Sequence, residues 1–298
     1  MSDSRVYIIV SAVIFSTFIA LTGFSAYRDS REALVFIKER EIPALGLATA
    51  SQLDVAAFRY KRAGEELLRD GFIRDWILSG EKDVSALRGF MDGIRDRHGL
   101  LDASIVSDRT ETYYGTDGRV LTLSPDNWER DGWYYLYREA MVNSNIDFWY
   151  YPETGIIGMY VNVPIFDRDG SFLGVTGGGI NAEEFSRILK SFEQTRGINI
   201  YLARRDGRLV YSTDRSLLEG EVKGLNDLWE EPVTEKLRRD QRNTVGLIME
   251  PAGTQGPVLW GKYLEDWDTF LVVERKTEAI ASSMRITVLR SLISGGVF

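Results

Sequence analysis

From Val6 to Tyr27 the chain carries no charge, VYIIVSAVIFSTFIALTGFSAY, with Arg5 before the run and Arg28 after it. A helix of that length, rising about 1.5 Å per residue, crosses a bilayer core of roughly 30 Å, and Tyr7 and Tyr27 stand where aromatic side chains settle at the two membrane interfaces. The run predicts a transmembrane anchor over 1–28. A secretory signal is one alternative: Gly23 and Ser25 offer a small-residue cleavage pattern, but its apolar region is usually only about 7–15 residues and follows a basic start, whereas Met1–Arg5 holds one Asp and one Arg. A buried core helix is the other. At the far end, Ile286–Phe298 (ITVLRSLISGGVF) turns apolar again and is too short to span, so 277–298 is expected to be an exit helix leading into the first half of a second transmembrane helix.

Between these ends the sequence is that of a water-soluble protein, long enough for two domains. With 44% hydrophobic and 27% charged residues it can bury a core, and its net charge of −8 argues against nucleic acid as a partner. There is no cysteine, which excludes disulfides and thiolate chemistry and fits a bacterial periplasmic protein that folds without oxidation. The single histidine, His98, lacks a neighbouring nucleophile and orienting group in sequence, so neither catalysis by this chain nor a metal or other cofactor is expected.

Over 29–98 apolar residues recur at three- and four-residue intervals through Leu34, Ile37, Leu45, Leu53, Ala57, Tyr60, Leu67 and Leu68, then Phe72, Trp76 and Ile77, which predicts a stalk helix with small capping helices. Pro43 predicts a kink or restart inside it. Ser79-Gly80 closes one helix and Asp83 opens the next. After Gly99 the period shortens. LLDASIVSD, ETYYG, NIDFWYY, IGMYVNVPIF and SFLGVTGGGI read as strands, with helices over Pro125–Met141 and Asn181–Glu193. The pattern then repeats: INIYLARRDGRLVYSTD is strand, turn, strand, Asn226–Arg242 a helix, and TVGLIME, PVLWGKYL and DTFLVVER three strands. The chain is thus expected to be α+β, with an N-terminal transmembrane helix, a long stalk and two tandem modules with antiparallel sheets, distal over 99–193 and proximal over 194–276.

Several strings point further. EIPALGLA, RDWILSGEKD, VSDRTETYYGTDG, SPDNWERDGWYY, MYVNVPIFDRDGSFLGVTGGGI and DGRLVYS, in this order, resemble the double Cache (tandem PAS-like) sensor regions of bacterial transmembrane receptors, especially those ahead of diguanylate cyclases and sensor or hybrid histidine kinases. The resemblance covers residues 6–298. It implies an extracytoplasmic sensor in the bacterial inner membrane, with a small molecule in the distal module and an output domain beyond a second membrane helix.

Within it, Trp133 and Tyr134 match the family's W-Y on the helix that lids the distal pocket. Arg130 lies close to one helical turn before Trp133, so a guanidinium that fixes a ligand carboxylate could share a cavity with the indole. Tyr113, Trp149, Tyr151 and Asn162 come from alternating strands and, with Tyr135, complete the candidate lining. The other reading makes these aromatics core residues and Arg130 a solvated charge. Two positions depart from amino-acid-binding members, Asp131 where they carry arginine and Gly179 where they carry the aspartate that meets an ammonium, so an α-amino acid held in the usual way is not expected, and a carboxylate, a neutral polar ligand or no ligand at all stays open. The proximal module is assigned no ligand. Asp167 and Asp169 read as a hairpin turn rather than a calcium loop, Gly174 and Gly177–Gly179 as close backbone approach, and Lys236, Arg238, Arg239 and Arg242 as a solvated helix face. Parallel stalks are expected to pair in a homodimer. The competing function is a ligand-independent periplasmic interaction module.

Overall fold

The computed structural model describes residues 3–69, 71–140, 145–151, 156–180, 187, 189–191, 196–218, 223–229, 232–250 and 256–277. The exit helix and second apolar run expected over 277–298, and nearly all of the helix expected over Asn181–Glu193, lie outside the described residues.

One helical rod runs from Asp3 to Arg69: α1 (Asp3–Phe36), a π turn (Ile37–Glu41) and α2 (Ile42–Arg69). At 1.5 Å per residue it is about 100 Å long. The apolar stretch of α1 is bare, with Ile14 64% and Phe24 67% exposed, so it is not a core helix, and by length and composition it can cross a membrane. Pro43 does not break the rod. Proline lacks an N–H and its ring crowds the carbonyl four residues earlier, and the chain answers by widening just before it, where the Ile42 N–H donates to the Ile37 carbonyl five residues back. Two short helices cap the upper end, α3 (Phe72–Leu78) and α4 (Val84–His98). Asp83 caps α4 by accepting from the Ala86 N–H at 3.0 Å, and Gly99 closes it in the left-handed region.

The distal sheet is built from β1 (Ser104–Ser107), β2 (Thr112–Gly115), β3 (Val120–Thr122), β4 (Asn145–Tyr151), β5 (Ile156–Phe166) and β6 (Phe172–Ile180), in the order β3-β2-β1-β6-β5-β4. The proximal sheet is built from β7 (Asn199–Arg204), β8 (Leu209–Ser212), β9 (Leu247–Met249), β10 (Val258–Leu264) and β11 (Thr269–Arg275), in the order β8-β7-β11-β10-β9. All pairings are antiparallel, and with β3 set aside as an edge addition the two orders are the same circuit. The repeat visible in the sequence is a repeat of topology. The helix expected over Pro125–Met141 forms as α5 (Trp128–Ala140), whereas Asn226–Arg242 holds two short helices, Leu225–Leu228 and Val233–Arg239, with Pro232 immediately before the second.

Both sheets lie against α2. A single core joins Ile42, Ala50, Leu53, Ala57 and Tyr60 of the stalk to Val161, Val163 and Ile180 of the distal sheet and to Trp260, Leu271 and Val273 of the proximal one. Two stalk glycines make room. A Cβ on Gly46 would fall into the Trp260 ring, and one on Gly64, about five turns further up, into Val163 Cγ2. The Trp267 indole N–H donates to the Leu53 carbonyl at 3.2 Å, tying the turn between β10 and β11 to the middle of α2.

Candidate functional site

Strand alternation gives the distal sheet two faces. Met159, Val161, Val163 and Ile180 look to the stalk, which leaves Asn162 and Val175, with Val106 and Tyr113 registered beside them, on the other side. There α5 covers the sheet through Tyr134 and Tyr137, which pack with Val106, Leu123 and Val175, while Tyr113, Trp133, Tyr135 and Phe172 sit around this cluster partly buried. Tyr134 is fully buried and donates to Asp108 Oδ1 at 2.7 Å, and burial followed by that carboxylate pushes its phenol far up. The Tyr137 hydroxyl donates to the Asn162 carbonyl at 3.4 Å. Four of the sequence-predicted residues, Tyr113, Trp133, Tyr135 and Asn162, thus belong to one lid-and-sheet layer. Trp149 and Tyr151 hold register positions in β4 opposite Gly158 and Ile156, but their side chains lie outside the described residues.

Arg130 is placed differently. Its Nε and Nη2 fork onto the two carboxylate oxygens of Asp131 at 2.6 and 2.7 Å, and Nη2 also points to the Thr122 carbonyl at 3.4 Å. Asp131 is buried and accepts the Ser124 N–H at 2.9 Å, which fastens the first turn of α5 to the chain leaving β3. Burial alone would raise the Asp131 carboxyl, but the guanidinium fork and the N–H outweigh it and hold it below its usual range. The helical spacing that would turn Arg130 towards Trp133 loses to this nearer partner. The Arg130 side chain remains 47% exposed at the start of the lid.

A residue absent from the sequence-based site enters here. The Gly179 N–H donates to Asp102 Oδ1 at 2.5 Å, and a Cβ added to Gly179 would stand 2.6 Å from that oxygen, so the Asp102 carboxylate occupies the side-chain space of position 179. The glycine run does not leave this spot without a carboxylate, as the sequence suggested; the acid arrives from the loop before β1. The signal for it is the register: Ser104 pairs with Gly177, which carries position 102 opposite 179. Burial raises the Asp102 carboxyl above its usual value even though the Gly179 N–H opposes the rise. Beside it, burial and then the Asp102 charge push the Tyr113 phenol up to about 12, and the Arg119 guanidinium lies over the Tyr113 ring at 5.6 Å.

The other motifs settle into structural places. Asp167 opens a hairpin turn, with the Gly170 N–H donating to its carbonyl at 3.1 Å. Cβ atoms on Gly174 and Gly177 would collide with the carbonyls of Val106 and Val161. His98 Nε2 stands 2.6 Å from Glu66 Oε2 and Arg97 reaches the other oxygen at 2.7 Å, a tie between α4 and the stalk that sequence spacing did not reveal. Lys236 is half-buried, whereas Arg238, Arg239 and Arg242 are exposed and line a cleft of about 850 Å³ with Asp54, Lys262 and Asp266.

No family model matches the chain. Its fold is shared with solved extracellular sensory domains of the Cache type. The ligand-binding domain of the Campylobacter jejuni chemoreceptor Tlp3, in complex with 4-methylisoleucine, superposes with a TM-score of 0.58 at 12% identity, over 86% of this chain and 94% of that one. The extracellular domain of rpHK1S-Z16, a protein assigned as a histidine kinase, gives 0.58 at 17% identity over 82% and 96%. The ligand-binding domain of the Pseudomonas aeruginosa PAO1 amino acid chemoreceptor PctC, in complex with GABA, gives 0.55 at 16% over 79% and 97%. The architecture that this chain shares with them is two tandem antiparallel-sheet modules on one helical rod, here behind an apolar N-terminal helix.

Proposed function

We propose that this chain is the periplasmic sensing region of a receptor anchored in the bacterial inner membrane, and that its distal module takes a small organic ligand beneath α5. The observation that carries this reading is the Asp102 carboxylate, desolvated on the lid side of the sheet with a backbone N–H as its hydrogen-bond donor. Such a group is completed by an ammonium. Tyr113, Trp133, Tyr135 and Asn162 form the surrounding wall, and Arg130 in the first turn of α5 is the cation that a ligand carboxylate would meet. The amino-acid and GABA complexes of the structural neighbours agree in chemical class. The receptor works as a parallel homodimer, and ligand closure biases two arrangements of the stalk, which reach a diguanylate cyclase or histidine kinase across the membrane.

The test is a thermal-shift series on the chain in detergent, with small amines, amino acids, carboxylates and purines. A ligand present at a hundred times its dissociation constant adds about 2.7 kcal/mol to stability, so one amine or amino acid is expected to raise the melting point by several degrees. Asp102→Asn is expected to abolish that rise without lowering the unliganded melting point, because asparagine still accepts the Gly179 N–H and removes a desolvated charge. Melting curves unmoved by the whole panel would favour a ligand-independent interaction module instead.

A further inference from the structure

The proximal sheet is incomplete along one edge. β10 runs from Val258 to Leu264, but β9 pairs only with Leu259, Trp260 and Gly261, so the β9 side of Lys262–Leu264 has no neighbouring strand among the described residues. The chain that leaves the short helix Val233–Arg239 for β9, together with Asp54 of the stalk, bounds the space beside this edge, the cleft of about 850 Å³. That is room for a small organic molecule. Trp260 and Leu264 face the stalk core, and Lys262, in phase with them along β10, points the same way. The cleft is therefore distinct from the lid face of the module, which Phe270 and Val272 fill.

Its charges are unevenly committed. Arg239, Arg242 and Lys262 come to the cleft from the end of the short helix, the loop after it and β10, and among the described residues none of these side chains makes a hydrogen bond or salt bridge. A fourth cation, Arg238, is tethered through its Nε, which donates to the Arg205 carbonyl at 2.7 Å. The acids are partly spent. Asp266 Oδ1 meets Lys61 Nζ at 2.5 Å, and Asp240 accepts the Asn243 amide at 2.8 Å. Glu265 is exposed, and burial raises the Asp54 carboxyl above its usual value while the Lys262 charge opposes the rise. With Lys61 included, cations outnumber acids here by five to four, in a chain whose net charge is −8. Unpaired guanidinium and ammonium donors converging on one space suit carboxylate or phosphate oxygens. We infer that this cleft is a second binding site, for a small organic molecule that carries at least two negative charges and shares its oxygens among Arg239, Arg242 and Lys262. The ligand comes from solution and not from the bilayer, because Asp54 stands 26 residues beyond Arg28, about 40 Å of helix, out of reach of a lipid headgroup. The site does not rest on the distal one.

The test is a thermal-shift titration of the full chain in detergent with succinate, citrate and glycerol 3-phosphate, at an ionic strength held constant with sodium chloride. At least one of these is expected to raise the melting point saturably, and the one that does tells carboxylate from phosphate recognition. Arg242→Gln and Lys262→Gln are each expected to weaken that probe about tenfold, the worth of one charge-assisted hydrogen bond. Both side chains lack partners, so both variants should melt with the parent when no probe is present, which keeps loss of binding distinct from loss of fold. Asp54→Asn, which removes a like charge, is expected to tighten the probe several-fold. Arg168→Gln, exposed in a distal turn, should change nothing, and Asp102→Asn should leave the rise intact. Melting curves unmoved by all three probes would overturn the site. So would a rise that Arg242→Gln and Lys262→Gln leave as it was, or that Arg168→Gln reduces equally, since either marks a general salt effect. A rise that vanishes in Asp102→Asn would move the anion to the distal module and overturn the cleft as its site.

Discussion

On the lid side of the distal sheet β6 presents Val175, Gly177 and Gly179, and on the same side of the proximal sheet β11 presents Phe270, Val272 and Glu274. The two sheets share a strand circuit and a stalk, yet one lid face is stripped and the other is filled. In the proximal module Phe270 and Val272 pack with Tyr201, Leu225, Val233 and Leu237, and Leu237 presses on Gly261 so closely that a Cβ there has no room. Its acid is answered from within, since Glu274 accepts from the Tyr201 hydroxyl at 2.7 Å and the Asn199 amide at 2.6 Å. The distal acid, Asp102, has Gly179 as its hydrogen-bond donor. The difference teaches that one topology can close its interior on itself, as the proximal module does, or set a desolvated carboxylate against a backbone N–H and bare glycines, as the distal one does.

The largest test of this contrast is truncation of the filled face. Phe270→Ala is expected to cost about 3–5 kcal/mol, because a fully buried ring leaves a cavity that the strands cannot close. Trp133→Ala, partly buried at the lid, should cost about 1–2 kcal/mol. Urea unfolding at neutral pH reads both, and equal losses would erase the distinction between a packed module and an open one.

Next in size is Arg130→Ala. An exposed arginine alone would be worth little, but this one neutralises a buried carboxylate, so the loss is expected to be about 1–2 kcal/mol, with Asp131→Asn recovering part of it in the same chain. A stability change near zero, with no recovery, would show that the fork does not hold the lid.

The smallest effect belongs to the tie between α4 and the stalk. Hydrogen bonds from His98 and then Arg97 hold the Glu66 carboxyl below its ordinary value of 4.5. A depressed carboxyl contributes stability that is present above the ordinary value and is lost as pH falls through the lower, folded one. Glu66→Gln should therefore unfold at nearly the same urea concentration as the parent at acid pH and fall behind it by under about 1 kcal/mol near pH 7. A difference that does not change between pH 7 and pH 3 would remove the ionic part of the tie.

Much of this was legible in the sequence for identifiable reasons. The uncharged run before Arg28, the three-and-four spacing through Leu53, Ala57 and Tyr60, and the duplicated strand pattern each report a local period, and local periods survive without knowledge of the fold. What was not legible depends on register between distant segments. Asp102 looks like a loop residue until β1 is laid beside β6, when it lands on a glycine far along the chain. Arg130 and Trp133 obey helical spacing, yet the guanidinium turns to its neighbour because Asp131 is buried against the Ser124 N–H, a contact outside the helix. The helix expected over Asn226–Arg242 fails as a single element at Pro232, where chain chemistry interrupts an otherwise continuous amphipathic pattern.

The π turn ahead of Pro43 bears on how such a rod can be joined to anything else. A π turn closes its hydrogen bond five residues back rather than four, so it takes up one residue more than an α turn for about the same rotation. The azimuth of the membrane-spanning part therefore cannot be found by counting down from Ile42 in ordinary helical steps. A chimera that grafts another anchor below Ile37 must carry a one-residue offset, and a splice that ignores it delivers the same height with the wrong side of the shaft facing forward.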